Sequence, residues 1–161
     1  MKQYKKVAVG GTFDQFHIGH ERLIKTALSF GEQVLIGLTT DTLLQTYSKQ
    51  HKIQSYPQRK RVITRFLENH SATITGRIVS LHDVFGASIR DPEIDALVVS
   101  TESQQRAQLV NQIRFRKGFE PLEVIVIDLV LAQDGKPISA SRIRNNEIDR
   151  FGNILSSTKT S

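Results

Sequence analysis

The chain contains no cysteine. That excludes a disulfide, a thiolate nucleophile and a thiolate-bound metal. Tryptophan is also absent, aromatic residues make up only 7% of the chain, and no aromatic ladder is interleaved with the basic residues. A surface that grips single-stranded nucleic acid by stacking is therefore not expected. No apolar run approaches the roughly 20 residues of a membrane-spanning helix. The basic start, Met1 to Lys6, runs straight into an apolar strand without the apolar core and cleavage site of a signal peptide. These absences lead us to expect a cytoplasmic protein with neither a membrane nor a nucleic acid as partner.

Hydrophobic residues make up 39% of the 161 positions and are spread along the chain. That suits one compact domain, residues 1–161, with a single core. The polar tail from Arg150 onward is expected to fray. Lys and Arg number 22 against 16 Asp and Glu, a net charge of +6. The positive charge recurs in three places: Lys49 to Arg65, Arg114 to Lys117, and Arg142 to Arg144. This scatter fits small anionic ligands better than one polyanion.

Apolar periodicity predicts strands at Val7–Val9, Val34–Thr39, Thr73–Leu81, Ala96–Val99 and Leu122–Leu131. Helical spacing predicts helices over Ile18–Phe30, Gln58–Asn69, the stretch around Ala107–Ile113, and a short one over Ser139–Asp149. Asp83–Glu93 reads as a loop and Asp134–Pro137 as a turn. The polar stretch Asp41–Pro57 has little periodicity and is the candidate for a mobile lid. Strands alternating with helices imply an α/β fold: one doubly wound, mostly parallel, five-stranded sheet with a short C-terminal helix. Ligands of such sheets bind beyond the carboxyl ends of the strands.

Two segments carry chemistry. The first is Gly10-Gly11-Thr12-Phe13-Asp14-Gln15-Phe16-His17-Ile18-Gly19-His20, where the first strand hands over to the first helix. Gly10 and Gly11 let backbone approach a ligand. The helix start directs free N–H groups and partial positive charge at the same space. His17 and His20, three residues apart, face one way and can donate to a phosphoryl group. Taken singly, such glycines make turns and such histidines sit on surfaces; taken together they mark a phosphate site. A His-x-x-His pair also suits a metal, but no third ligand of matching spacing accompanies it, Asp14 being the nearest. The second segment is Ile138-Ser139-Ala140-Ser141-Arg142-Ile143-Arg144. Ser139 and Ser141 can cap a helix, and Arg142 can reach phosphate in a bidentate manner. An ordinary helix cap with solvated arginines has the same composition.

The first segment resembles the GTFDxxHxGH signature, and the second the ISSTRIR motif, of nucleotidyltransferases related to class I aminoacyl-tRNA synthetases. Ala140 departs from the latter by lacking a hydroxyl. Nearly the whole chain, Lys6 to Asn153, is similar to phosphopantetheine adenylyltransferases of the archaeal and eukaryotic type. Tyr56-Pro57-Gln58-Arg59, Asn111-Gln112-Ile113-Arg114 and Asp134-Gly135-Lys136-Pro137-Ile138-Ser139 are among the supporting stretches. The resemblance implies a Rossmann-like nucleotidyltransferase fold. It also implies the reaction of ATP with 4′-phosphopantetheine to give dephospho-coenzyme A and pyrophosphate, with Mg²⁺ carried by the nucleotide and not by protein side chains. His17, His20 and Thr12 are then expected to be catalytic. Gly10, Gly11, Phe13, Glu102, Arg114, Ser139, Ser141 and Arg142 are expected to bind ATP. Thr12 with Lys49 or Lys52 is expected at the acceptor phosphate, although each lysine is equally a solvated loop residue. Glycerol phosphate, nicotinamide mononucleotide and FMN stand as rival acceptors, a non-catalytic nucleotide- or nucleic-acid-binding regulator is the rival from another class, and the oligomeric state is left open.

Overall fold

Strands and helices alternate along the chain of this computed structural model, which describes residues 2–47 and 52–156. In order they are β1 (Tyr4–Gly11), α1 (Ile18–Phe30), β2 (Gly31–Thr39), α2 (Asp41–Tyr47), α3 (Tyr56–Asn69), β3 (Gly76–Leu81), β4 (Ala96–Ser100), α4 (Gln104–Arg116), β5 (Glu123–Ile127) and α5 (Ala140–Arg144). The sheet order is β3-β2-β1-β4-β5, and every neighbouring pair is parallel. The strand order reverses between β1 and β4, so a crevice opens there at the carboxyl ends.

The central strands are buried on both faces, which is why they read as continuous apolar runs. Along β1, Val7 and Val9 join one core layer with Ile24 of α1 and Ile63 and Phe66 of α3. Between them, Ala8 points to the other layer with Leu35, Leu97 and the α4 residues Ala107 and Val110. This alternation is the period-2 geometry of a strand. A smaller cluster of Ala132, Ile138 and Ile148, with Ile18 and Ile143 against it, fastens the C-terminal segment onto the start of α1.

Several expectations are corrected. The polar stretch after β2 contains α2, whose single buried residue, Leu44, is too little for a period to show. Helix α3 begins two residues earlier than expected because Ser55 caps it, its hydroxyl accepting the Gln58 N–H while the Gln58 side chain returns to the Ser55 N–H. Strand β3 starts at Gly76, where a Cβ would come within 2.9 Å of Leu67. The expected loop after it holds a 3-10 turn, Gly86–Ile89. Strand β5 stops at Ile127 because its partner β4 ends opposite it at Ser100; Val130 to Ile138 instead folds into a small hairpin around Asp134-Gly135, with Leu131 bridged to Pro137. Helix α5 ends at Arg144, and Asn146 adopts a left-handed backbone (φ 57°) that no helix continues. The tail expected to fray is held at least to Leu155: Ile154 bridges Ile148, and Gly152 accepts the Gln133 N–H.

Candidate active site

The two histidines of the first segment are the N-terminal cap of α1. His17 Nδ1 accepts the Gly19 N–H at 3.1 Å, and His20 Nδ1 accepts the His17 N–H at 3.3 Å. The rings stack with centroids 3.7 Å apart. A ring whose Nδ1 accepts must, when neutral, carry its proton on Nε2, so the bond pattern assigns both imidazoles the same tautomer, each with one N–H donor left. Burial keeps the pair neutral. It lowers the His17 pKa from 6.5 to about 4, with Arg150 adding to the effect. His20 falls well below its usual value through burial and then through His17. Gly19 is required by this arrangement, since a Cβ there would lie 2.8 Å from His17 Cε1.

The cap also corrects one expectation. The Ile18 N–H donates to the Arg150 carbonyl and the Gly19 N–H to His17, so these amides of the helix start are not free for an anion. Each imidazole keeps its Nε2–H uncommitted to the cap.

The turn between β1 and α1 is strained. Phe13 and Gln15 both have left-handed backbones, φ 54° and 49°, at residues that carry a Cβ. Asp14 between them is buried, and its carboxylate accepts the Gln54 N–H at 2.9 Å and is ion-paired with Arg144 of α5. Arg144 in turn donates to Ser141 Oγ at 3.2 Å. One ion pair thus joins the N-terminal segment to the C-terminal one across 130 residues of sequence.

Not every expected residue arrives where the sequence reading placed it. Gly10, Gly11 and Thr12 line one end of a cleft of about 490 Å³ over the carboxyl ends of the strands. Its apolar floor includes Leu35, Val79 and Leu97, and its walls come from Leu43 and Tyr47 of α2 and Ala107 and Val110 of α4. Glu102 is exposed in the 3-10 turn Thr101–Ser103 directly after β4, on the same rim. Ser139 caps α5 by accepting the Arg142 N–H at 3.2 Å. Lys52 is exposed two residues before Gln54, and Lys49 lies outside the described residues.

Phe13, expected at ATP, is instead buried beneath the histidines, edge-on to His20 with centroids 5.3 Å apart. Arg142, expected at phosphate, is held by Asp134 of the hairpin and by Glu147 beyond α5. Arg114 is a clear correction. Its side chain is wholly buried and donates to the carbonyls of Glu120, Ser88 and Asp91 at 2.8, 2.8 and 3.0 Å. The Glu120 and Asp91 carbonyls precede β5 and β4, away from the carboxyl ends of the strands, while Ser88 belongs to the loop after β3 and also lines the cleft. Arg114 is engaged with these carbonyls and fastens loops to the core rather than facing into the cleft.

Sequence reading missed Asp14, Arg144 and Arg59. Asp14 and Arg144 were visible as motif positions, but nothing in a linear pattern says which of two arginines turns inward. Among the described residues no cluster of three or more His, Cys, Asp or Glu is placed to hold a metal.

A parallel sheet with an imidazole pair opening its first helix, and a serine–arginine segment ion-paired to the loop before that helix, is the setting of a cytidylyltransferase-like nucleotidyltransferase. The cytidylyltransferase-like family model matches residues 8–146. Curated relatives named phosphopantetheine adenylyltransferase are similar over nearly their full length: that of Methanopyrus kandleri is 42% identical, covering 92% of this chain and 94% of the relative. That of Pyrococcus furiosus is 40% identical, covering 96% of each. The chain belongs to the phosphopantetheine adenylyltransferase family, within the cytidylyltransferase-like nucleotidyltransferases. Among solved structures, an Archaeoglobus fulgidus protein described as of unknown function superposes with a TM-score of 0.68 at 28% identity, covering 76% of this chain and 89% of that one. A tyrosyl-tRNA synthetase from the same organism shares the fold alone, with a TM-score of 0.59 at 12% identity, covering 88% of this chain and 60% of the synthetase.

Proposed function

We propose that the protein transfers the adenylyl group of ATP to 4′-phosphopantetheine, releasing pyrophosphate and forming dephospho-coenzyme A. A phosphate oxygen of the acceptor attacks the α-phosphorus of ATP, the bond from that phosphorus to the bridging β-phosphate oxygen breaks, and the electrons leave with pyrophosphate. Such a displacement needs two anions aligned and growing oxygen charge stabilised, and no protein nucleophile. The Nε2–H groups of His17 and His20 suit the α- and β-phosphates, as neutral donors already fixed in tautomer. Thr12, at the end of β1, holds the attacking phosphate near them, with Lys52 neutralising it; Lys49, the alternative, lies outside the described residues.

The guanidinium for the β- and γ-phosphates passes from Arg142 to Arg144, because Arg144 and Ser141 face the signature loop while Arg142 is engaged in the hairpin. Glu102 stands at the rim where the adenine edge would lie. The acceptor's long, partly apolar arm suits the cleft between α2 and α4, which Gly10–Thr12 line at the start of the signature loop that leads to the histidines. With no carboxylate cluster among the described residues, Mg²⁺ would ride on the triphosphate oxygens, where it offsets their charge as a Lewis acid.

The observation that carries this reading is the Asp14–Arg144 pair, which draws both motifs to one place. A pyrophosphate-release assay tests it, pairing ATP or CTP with 4′-phosphopantetheine, glycerol 3-phosphate, nicotinamide mononucleotide or FMN. Turnover is expected for ATP with 4′-phosphopantetheine alone. A preference for another pair overturns the acceptor, and no turnover with any pair overturns the enzymatic reading.

A further inference from the structure

Arg59 is the other wholly buried guanidinium, and it lies at the reactive rim. Nothing polar in the catalytic account uses it. It stands in the first turn of α3 and reaches back into the space where β1, β2 and α2 meet. Its Nη1 donates to the carbonyls of Thr12 and Thr39 at 2.9 and 2.8 Å. Its Nε donates to the Gln54 carbonyl at 2.8 Å, and its Nη2 to Asp41 Oδ1 at 2.8 Å. Each partner belongs to a different part of the acceptor side. Thr12 directly follows β1, Thr39 ends β2, and both line the cleft. Asp41 opens α2, which supplies the cleft wall through Leu43 and Tyr47.

Gln54 extends the clamp. Its N–H holds Asp14, and its side-chain oxygen accepts the Gln15 N–H at 3.1 Å. The strained turn at Phe13 and Gln15 is therefore fixed from the side of Arg59. Lys52 is two residues away on the same strand of chain.

From this we infer that Arg59 is a positioning residue for the acceptor half of the reaction: its planar fork sets Thr12 against the wall built by α2. The inference rests on the function proposed above only for the identity of the acceptor. A guanidinium can do this because its donors diverge in one plane, so it spans two carbonyls on one side and a carboxylate on the other. An ammonium of similar length has one nitrogen and cannot hold both sides at once. The carboxylate partner, Asp41, is itself half-exposed, so its loss leaves Arg59 still bonded to three carbonyls.

The test compares Arg59→Lys and Asp41→Asn with the wild-type enzyme, using steady-state kinetics in 4′-phosphopantetheine and calorimetric titration of ATP without acceptor. Arg59→Lys is expected to keep a cooperative unfolding transition and an ATP Kd within about 3-fold. Its kcat/KM for the acceptor should fall roughly 10- to 10²-fold, the size expected when a reacting group is misplaced by an ångström. Asp41→Asn, which loosens the tie of α2 to Arg59 and to the Tyr56 N–H at the start of α3, is expected to raise the acceptor KM with kcat nearly unchanged. Acceptor kinetics within 2-fold of wild type in Arg59→Lys, or equal losses in ATP affinity and acceptor kcat/KM, would make Arg59 a purely structural residue. If Arg59→Lys does not fold, Asp41→Asn decides alone: an unchanged acceptor KM overturns the inference. Should the wild type prefer a different acceptor in the panel assay, the proposed function fails there, and the same variants are compared with the acceptor it uses.

Discussion

Arg59 and Arg114 make an instructive pair. Both have fully buried side chains, both donate mainly to backbone carbonyls, and both sit on helices of the same sheet. They differ in which end of the sheet they occupy. Arg59 binds the carboxyl ends of β1 and β2, beside Thr12 and the signature loop; Arg114 binds the loops that precede β4 and β5, behind the wall of the cleft at Ser88. Identical chemistry therefore serves positioning at one end and stability at the other. The reactive rim holds what the far end lacks, a pair of imidazoles held neutral by burial, and it packs two left-handed non-glycine residues into one turn, where the far end has the single Ser71.

Variants at the two ends should separate cleanly. The largest effect on activity is expected for His20→Ala, with kcat falling roughly 10²-fold or more as for the loss of a donor to the transferring group. Lost capping of the His17 N–H should cost about 1 kcal/mol of stability at most. Steady-state rates beside a urea melt check both; unchanged turnover would remove the histidine from the catalytic role. Next comes Arg144→Ala, expected to lower kcat/KM for ATP by about 10-fold or more. Arg142→Ala, two positions away, should change it less than about 3-fold, and the reverse order would return the phosphate role to Arg142. Gly19→Ala pushes on the His17 ring, so kcat should drop by about 10-fold, the ring being displaced by a fraction of an ångström.

At the far end, Arg114→Met should leave kcat and both KM values within about 2-fold for the folded enzyme. Its unfolding free energy should fall by about 3 kcal/mol or more, because several buried carbonyls lose their donor. A loss of activity without a loss of stability would break the comparison outright.

The smallest effect concerns pH. His17 has a native pKa of about 4 against 6.5 when free, so the unfolded chain binds the proton more readily. Its contribution is fully present above pH 6.5 and is lost as pH falls toward 4, amounting to roughly 3 kcal/mol at most. The drop in stability between pH 7 and 4, followed by urea midpoints, should be shallower in His17→Asn than in the wild type. Equal slopes would show that His17 is not buried as a neutral ring.

Much of this was legible in the sequence, for physical reasons. Strands buried on both faces announce themselves as apolar runs, and α1 as a helical period, so the parallel sheet and its rim followed from Val7–Val9, Val34–Thr39 and Ala96–Val99. The two motifs were visible because glycine, histidine and hydroxyl residues rarely combine in that way. What the sequence hid was direction. Arg142 and Arg144 differ only in which side of one short helix they occupy, and Arg114 carries the same charge whether it faces a ligand or a ring of carbonyls. The short helix α2 was hidden by its polarity, and the end of β5 depended on where its neighbour stops, which no local pattern records.

The central claim is that the imidazoles of the N-terminal motif and the guanidinium of the C-terminal one meet on a single triphosphate. A crystal structure with a non-hydrolysable ATP analogue measures this directly. Nε2 of His17 and His20 should lie within hydrogen-bond distance of α- or β-phosphate oxygens, and Arg144 should have left Asp14 for the β- or γ-phosphate. A triphosphate bound away from the histidines, with Arg144 still paired to Asp14, would contradict the account.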